Sequence, residues 1–275
     1  MTNKVIDNYN KIMTNSINKT INENKNWQNA IADFKPLNVS GEKPVPYNGV
    51  NAINLALSSN TRGDKDNRFM TRRQAENSGF SIKEDAKALA VSYLSPVDRE
   101  ITDKKTGEVK SVKIPFTKIA YVYNGKDIEG LGKAKDFTKS NSKETATNVY
   151  KKVEKAIKEN YVNDSKDLQS FKTQMATALI CQKEGIALDK LTLAKMKPFN
   201  TDFLKDAKQG MKQIRSSAKI ADYVHKGKEF EKFNTKAENV KAVDGKAKQN
   251  VKAKPTTAKE RLAQRKLKSS QGRSR

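Results

Sequence analysis

Apolar residues recur at intervals of three and four positions through residues 4–24, which is the period of an amphipathic helix. Residues 51–59 carry a denser apolar run and predict a second, more buried helix. Residues 36–46, in the polar segment between them, are rich in residues that interrupt regular structure, so we expect an extended loop there. These residues are Pro36, Gly41, Pro44 and Pro46.

The pattern changes to strand-like runs beyond residue 88. The predicted strands cover residues 88–94, 112–116 and 119–123. A turn at residues 103–107 joins the first two strands into a hairpin, so we expect a small antiparallel sheet. Just before this sheet, residues 71–77 predict a short helix that Thr71 caps and Gly79 ends.

Helical periodicity returns at residue 145 and continues to residue 227. The last part of the chain is strongly basic and has too few apolar side chains to offset the entropy of ordering it. We therefore predict an α+β fold, in which N-terminal helices pack on a small antiparallel sheet and an all-α domain follows. The predicted parts are a first domain (1–132), a linker (133–144), a helical domain (145–227) and a disordered basic tail (228–275).

Basic residues outnumber acidic ones by 55 to 31 in this chain of 275 residues, so its formal net charge is +24. Such an excess is typical of proteins that bind a polyanion. DNA, RNA and an acidic membrane surface all fit the charge, and a lysine-rich surface without a ligand is the alternative. We expect a nucleic acid as the partner and no membrane.

Arginine is concentrated in the sequence, whereas lysine is spread along it. Four of the ten arginines lie between residues 62 and 73. Because arginine binds phosphate with two parallel bonds and stacks on bases, we predict that this cluster contacts nucleic acid. A solvated helix face is the alternative, and Arg68 and Arg72 would share one face if a helix began before Arg68. The predicted contacts are Arg62, Arg68, Arg72 and Arg73, followed by Lys83 and Lys87 beside the next strand.

The turn before the second helix has backbone N–H groups that could hold a phosphate. Tyr47 could stack on a base, and Asn48 and Asn51 could bind the strand through their amides. A structural turn with an asparagine cap is the alternative. Three tyrosines of the sheet also allow two interpretations. If they are exposed among lysines, they would form a platform for a single strand, and if they are buried, they would be part of the core. They are Tyr93, Tyr121 and Tyr123.

The sequence offers few residues for catalysis or metal binding. Cys181 is the only cysteine and His225 the only histidine, which excludes an intramolecular disulfide, a multi-cysteine zinc site and a His–His metal motif. No phosphate-binding glycine loop or pair of catalytic carboxylates is evident. We therefore expect no enzymatic activity and no cofactor. The N-terminus lacks the apolar core of a signal peptide, and no apolar run approaches the ~20 residues of a membrane helix, so we expect a soluble, intracellular protein.

Five segments, in order, resemble the N-terminal domain of the ArdC antirestriction family of plasmids and phages. They are Tyr47-Asn48-Gly49-Val50-Asn51, Phe69-Met70-Thr71-Arg72-Arg73-Gln74-Ala75 with Gly79, Lys83 before a strand, Tyr121-Val122-Tyr123-Asn124, and Gly130-Leu131. The resemblance covers roughly residues 4–132, and it implies that this domain binds single-stranded DNA.

The family usually continues into a zinc metallopeptidase domain with a His-Glu-x-x-His helix, which a chain with one histidine cannot contain. Residues 168–224 nevertheless resemble the helices that follow the family's zinc site. Gln174 stands where the family helix carries a glutamate ligand, and residues 218–223 are similar to the closing helix of that domain. The resemblance thus implies a degenerate, non-catalytic remnant without a metal.

We therefore predict a single-stranded-DNA-binding protein of a mobile element or phage, located in the bacterial cytoplasm or packaged in a virion. The resemblance implies that it protects incoming DNA from restriction. The first alternative is a phage or plasmid structural protein that is injected with DNA and binds it through the basic tail. A nuclease, or a peptidase that uses a partner's metal, is a second alternative. Duplex DNA and RNA also remain open as partners.

Overall fold

A computed structural model of the protein describes residues 2–24, 26–102, 107–134 and 144–227, all within one compact unit. The first helix, α1, spans Thr2–Glu23, as its apolar period predicts. One stripe of this helix is buried in the core at Tyr9, Met13, Ile17 and Ile21. These residues lie four positions apart, so they occupy one face of the helix.

Trp27 lies in a polar segment, for which the sequence pattern predicts no helix. It begins helix α2 (Trp27–Ala32) and is 3% exposed. Its ring meets that of Phe199 edge-on, with the centroids 6.4 Å apart. A partner 172 residues away in the sequence thus decides the burial of Trp27, and local composition carries no sign of it.

The main sheet has five strands in the order β2-β1-β3-β6-β5, and the described residues also form a small β4-β7 pair. The strands are β1 (Leu37–Asn38), β2 (Val45–Pro46), β3 (Arg68–Thr71), β4 (Ser81–Ile82), β5 (Leu89–Thr102), β6 (Val109–Asn124) and β7 (Ile128–Glu129). The pairs are antiparallel except β1 with β3, which run parallel. The prediction of N-terminal helices on a small sheet is confirmed, with one parallel pair added.

Helix α3 (Gly49–Arg62) covers one face of this sheet. Its Leu55 packs with Phe69, Val91 and Val122 from three neighbouring strands. On the other face, helix α4 (Arg72–Asn77) packs Ala75 against Met70 and Ile128, which are also buried. Each face of the sheet is therefore covered near β3, whereas β5 forms the edge.

Strands β5 and β6 form one long hairpin with paired residues from Leu89 and Val122 out to Thr102 and Val109. The sequence pattern predicts two strands, 112–116 and 119–123, where the structure has β6 alone. The polar residues 117 and 118 resemble a break, but each pairs with a residue of the equally long β5. Most of the predicted turn, residues 103–106, lies outside the described residues.

The C-terminal region is helical, as predicted. Its helices are α5 (Ala146–Asn160), α6 (Lys166–Glu184), α7 (Lys190–Lys195) and α8 (Ala207–His225). Buried side chains of α5, α6 and α8 join those of α1, α2 and α3 in one hydrophobic cluster. The division at residue 132 therefore remains a prediction. Residues 135–143 of the predicted linker and the whole predicted tail, 228–275, lie outside the described residues.

None of the described helices is both long enough and apolar enough to cross a membrane.

Candidate nucleic-acid interface

The structure packs the ring of Tyr47 against the sheet. Its centroid lies 6.3 Å from that of Phe69, at an interplanar angle of 88°. Asn38 donates a 3.4 Å hydrogen bond to the Tyr47 hydroxyl, and burial raises the pKa of this phenol to about 12. Asn48 is exposed and donates to the Pro46 carbonyl at 3.2 Å. These contacts favour the structural-turn interpretation of Tyr47.

Asn51 uses its side-chain amide to hold the edge of the sheet. Its Nδ2 donates to the Ser92 carbonyl at 2.7 Å, and its Oδ1 accepts from the Ser92 N–H at 2.9 Å. One turn later, Asn54 donates to the Ala90 carbonyl at 2.9 Å. Helix α3 is thereby fastened to β5, and both polar atoms of the Asn51 side chain are used within the protein.

Arg62 and Arg68 are directed toward carboxylates of the protein itself. Arg62 lies 2.6 Å from Asp64, whose side chain is fully buried, and donates to the Lys87 carbonyl at 2.9 Å. Arg68 lies in β3 rather than on a helix, and its guanidinium lies 2.8 Å from Asp66. Because α4 begins only at Arg72, Arg68 and Arg72 do not share a helix face.

Arg72 and Arg73 are in a different environment, because both are exposed on α4. The Thr71 hydroxyl accepts from the Gln74 N–H, and the Gln74 side chain accepts from the Thr71 N–H, so the predicted cap is confirmed as a capping box. The guanidinium carbon of Arg72 lies 5.3 Å from the ring centroid of Tyr123, within the range of a cation–π contact.

Tyr121 extends this surface along β6. It lies two residues before Tyr123, so both side chains leave the sheet on the same face. Tyr123 is partly covered by the cluster around Met70, whereas Tyr121 is 63% exposed. We call Arg72, Tyr121 and Tyr123 the Tyr121 patch. It combines a cation with two aromatic rings on one side of the sheet.

Lys83 and Lys87 are both exposed in the segment between β4 and β5. The backbone N–H of Lys83 donates to the Asp127 carbonyl at 3.0 Å, which fixes the start of this segment. The structure therefore leaves the two lysines and Arg72 and Arg73 open to solvent, and it uses Tyr47, Asn51, Arg62 and Arg68 internally.

The carboxylates that neutralise the first two arginines were missed by the sequence reasoning. Each lies two residues from its arginine, as Arg62-Gly63-Asp64 and Asp66-Asn67-Arg68. Lys126 also contacts Asp64, so this acid meets two cations. The short spacing was a signal that could have separated these arginines from Arg72 and Arg73.

In the helical region, both polar atoms of the Gln174 side chain are hydrogen-bonded. Its Nε2 donates to the Lys197 carbonyl at 2.6 Å and to the Ser170 hydroxyl at 3.0 Å. Its Oε1 accepts from Gln28 at 2.7 Å, and the residue is 2% exposed. His225 Nδ1 lies 3.0 Å from a Glu184 carboxylate oxygen. Within the described ranges, no three His, Cys, Asp or Glu side chains form a metal-binding group.

Comparison with known proteins identifies the class. The family model for the N-terminal domain of the anti-restriction factor ArdC matches residues 7–123. Residues 7–123 are therefore an ArdC-type N-terminal domain. No curated protein matches the sequence significantly.

Two crystal structures of the antirestriction ArdC protein from the R388 plasmid have the same fold. The metal-free structure matches with a TM-score of 0.54 and 19% identity, covering 80% of this chain and 98% of that protein. The Mn(II)-bound structure matches with a TM-score of 0.53 and 16% identity, covering 79% and 95%. The likeness in fold therefore extends beyond the N-terminal domain into the helical region.

The residues of this chain do not fit a metal such as the one in the Mn(II)-bound R388 structure. Metal sites of this kind need histidine and carboxylate ligands, and the chain has one histidine, which is paired with Glu184. Gln174, which the sequence resemblance predicts to stand at a glutamate ligand, has a neutral amide whose oxygen and nitrogen are already bonded.

Proposed function

We propose that this protein, with its ArdC-type N-terminal domain, binds single-stranded DNA through the Tyr121 patch and thereby protects the DNA of a mobile element from restriction. The observation that carries the proposal is the pairing of the Arg72 guanidinium with the Tyr123 ring beside the exposed ring of Tyr121. Unpaired bases stack on such rings, and a neighbouring guanidinium can bind phosphate. In a duplex the base faces are hidden, so the patch suits an unpaired strand.

The charge of the chain supports the same partner. A net charge of +24 attracts a polyanion from a distance and displaces counterions from the strand. Stacking on rings is tolerant of sequence, which suits a protein that must cover any incoming strand. We propose that binding alone provides the protection, so no cleavage of DNA or protein is expected.

Replacing the ring of the patch tests the proposal. Tyr121→Ala should weaken binding of a thymidine oligonucleotide of about 5 nucleotides by about 1–3 kcal/mol, the value of one lost base–ring contact. Arg72→Ala should weaken it as well, because the guanidinium that binds phosphate is removed. Fluorescence anisotropy with a labelled oligonucleotide, at two salt concentrations, measures both effects.

Lys151→Ala is the matched control for Arg72→Ala, since it removes one exposed positive charge from α5. Equal losses for the two charge variants, or an unchanged isotherm for Tyr121→Ala, would show that binding is unspecific electrostatic attraction. Duplex DNA and RNA of the same length serve as competitors. If removal of residues 228–275 abolishes all binding, the tail-based alternative replaces the proposal.

A further inference from the structure

The outer part of the β5–β6 hairpin extends beyond the covered sheet. We call residues 93–102 and 109–118 the hairpin arm. In the sheet these residues pair only with each other, because β3 meets β6 only at residues 122–124. No described side chain of the arm is buried. Two-stranded hairpins are only marginally stable alone, so such an arm gains from a ligand.

The two faces of the hairpin arm differ in chemistry. Residues directly opposite each other in an antiparallel pair share a face, so the pairing assigns each position. The first face, which we call the apolar arm face, carries Tyr93, Ser95, Val97, Ile101, Val112, Ile114, Phe116 and Lys118. The other face carries Leu94, Pro96, Asp98, Glu100, Thr102, Val109, Ser111, Lys113, Pro115 and Thr117.

The apolar arm face is open to solvent along its length. Tyr93 is 49% exposed, Val97 43% and Ile101 48%. Val112, opposite position 99, is also exposed. Ile114 and Phe116 are partly exposed. A group of exposed large apolar side chains on one face usually marks an interaction site.

Charge is segregated between the two faces. The carboxylates of the arm strands, Asp98 and Glu100, are both on the other face. The apolar arm face carries Lys118 opposite Tyr93, and none of its described side chains is acidic. The apolar arm face therefore combines apolar side chains with positive charge alone.

This combination excludes a second copy of the chain as the best occupant. In a symmetric dimer the apolar arm face would meet itself, so its cationic positions would face each other. Each copy also carries +24. Like charges at an interface are destabilising, whereas a negatively charged ligand with apolar surfaces would satisfy both the charge and the exposed side chains.

We propose that the apolar arm face is a second binding surface for single-stranded DNA. Tyr121 pairs with Ala90 and therefore lies on the other face of the hairpin, so a long strand occupies both surfaces by crossing the edge of β5. An unpaired strand presents phosphates to Lys118 and flat base faces to Tyr93 and its apolar neighbours. This inference rests on the proposed function and adds the extent of the strand that is bound. The arm strand of ten residues is about 33 Å long, which is long enough to contact several nucleotides.

The test compares short and long strands on two matched double variants. Val97→Glu with Ile101→Glu places two carboxylates on the apolar arm face. Thr102→Glu with Ser111→Glu places the same two charges on the opposite face, at the end of the arm away from Tyr121. The long strand is a thymidine oligonucleotide of about 20 nucleotides, and the short one has about 5. Thermal unfolding confirms that both variants are folded.

Wild type should bind the long strand more tightly than the short one. In the apolar-face variant, the ratio of long-strand affinity to short-strand affinity should be about tenfold lower than in the control variant. This is the effect of losing roughly one base contact. Equal behaviour of the two variants would overturn the inference. The inference is also overturned if the apolar-face variant keeps the full gain from strand length. In that case it would lose binding to phosphatidylglycerol vesicles, or self-association, instead. Failure of the proposed function would be seen in a different measurement. In that case Tyr121→Ala would bind the short strand as tightly as wild type does.

Discussion

Arg68 shows how the neighbours of a side chain decide its role. Its Nε and Nη2 groups donate to Asp66, and its Nη1 donates to the Leu131 carbonyl at 3.1 Å. A further bond of 2.7 Å joins Nη2 to the Gly132 carbonyl. The side chain is 15% exposed, so its donors are used to fasten the segment after β7 onto the sheet. Arg72, four residues later, has a ring as its contact and faces solvent.

We expect Arg68→Ala to lower the free energy of unfolding by roughly 2–4 kcal/mol, because it leaves a poorly solvated carboxylate and two carbonyls without their donor. Arg68→Lys should recover only part of this loss, since lysine lacks the planar fork. Urea denaturation measures both. Arg72→Ala is the comparison and should cost at most about 1 kcal/mol of stability. An Arg68→Ala protein that keeps full stability but loses DNA affinity would assign Arg68 to the interface instead.

At the scale of elements, helix α3 closes part of the open edge of the sheet. An edge strand leaves backbone donors and acceptors unpaired, and Asn51 satisfies both groups of Ser92 with its own amide. Asn54 donates to the Ala90 carbonyl alone. The edge is therefore covered up to Ser92, and the hairpin arm begins at the next residue.

Asn51→Ala should destabilise the protein by about 1–3 kcal/mol, because the Ser92 N–H and carbonyl lose their partners. Asn48→Ala, three residues earlier, is the matched control and should cost less than about 0.5 kcal/mol, since Asn48 is exposed. Chemical denaturation gives both values. If instead Asn48→Ala and Asn51→Ala weaken DNA binding equally at unchanged stability, the turn is part of the interface.

For the molecule as a whole, the N-terminal and C-terminal helices share one core. Gly210 of α8 lies against α1, and a methyl group added to it would come within 2.4 Å of the Thr14 side chain and 3.1 Å of the Leu204 backbone. Thr14 donates to the Ala207 carbonyl at 3.3 Å, which joins the same two helices. The two halves of the chain are therefore expected to unfold together.

Gly210→Ala should lower stability by about 1–3 kcal/mol through overpacking. Gly41→Ala is the control, because the nearest atom to its added methyl group is 3.9 Å away. We expect far-ultraviolet circular dichroism and the fluorescence of Trp27 to report one coincident transition in both variants. Two separate transitions, with only one of them shifted by Gly210→Ala, would support the predicted boundary at residue 132.

Periodicity was sufficient to predict α1, α3 and the C-terminal helices, because the buried stripe of a helix repeats within the helix itself. The alternation of side chains in a strand places Tyr121 and Tyr123 on one face of β6. It carried no information on which face α4 covers, or how far the cover extends. The predicted DNA contacts separate for the same reason, since Arg62 and Arg68 have acidic partners and Arg72 and Arg73 are exposed.

The sequence by itself determined the helices, the hairpin, the positive charge and the absence of a His-Glu-x-x-His motif, because each is a property of local order or of composition. The tertiary structure alone decided which cations and rings are exposed. Arg68 is engaged by carbonyls 63 and 64 residues away, and Trp27 is covered by Phe199. Contacts between elements so distant in the chain have no periodic signal. Only their packing in three dimensions leaves Tyr121 on the surface and packs Tyr47 against the core.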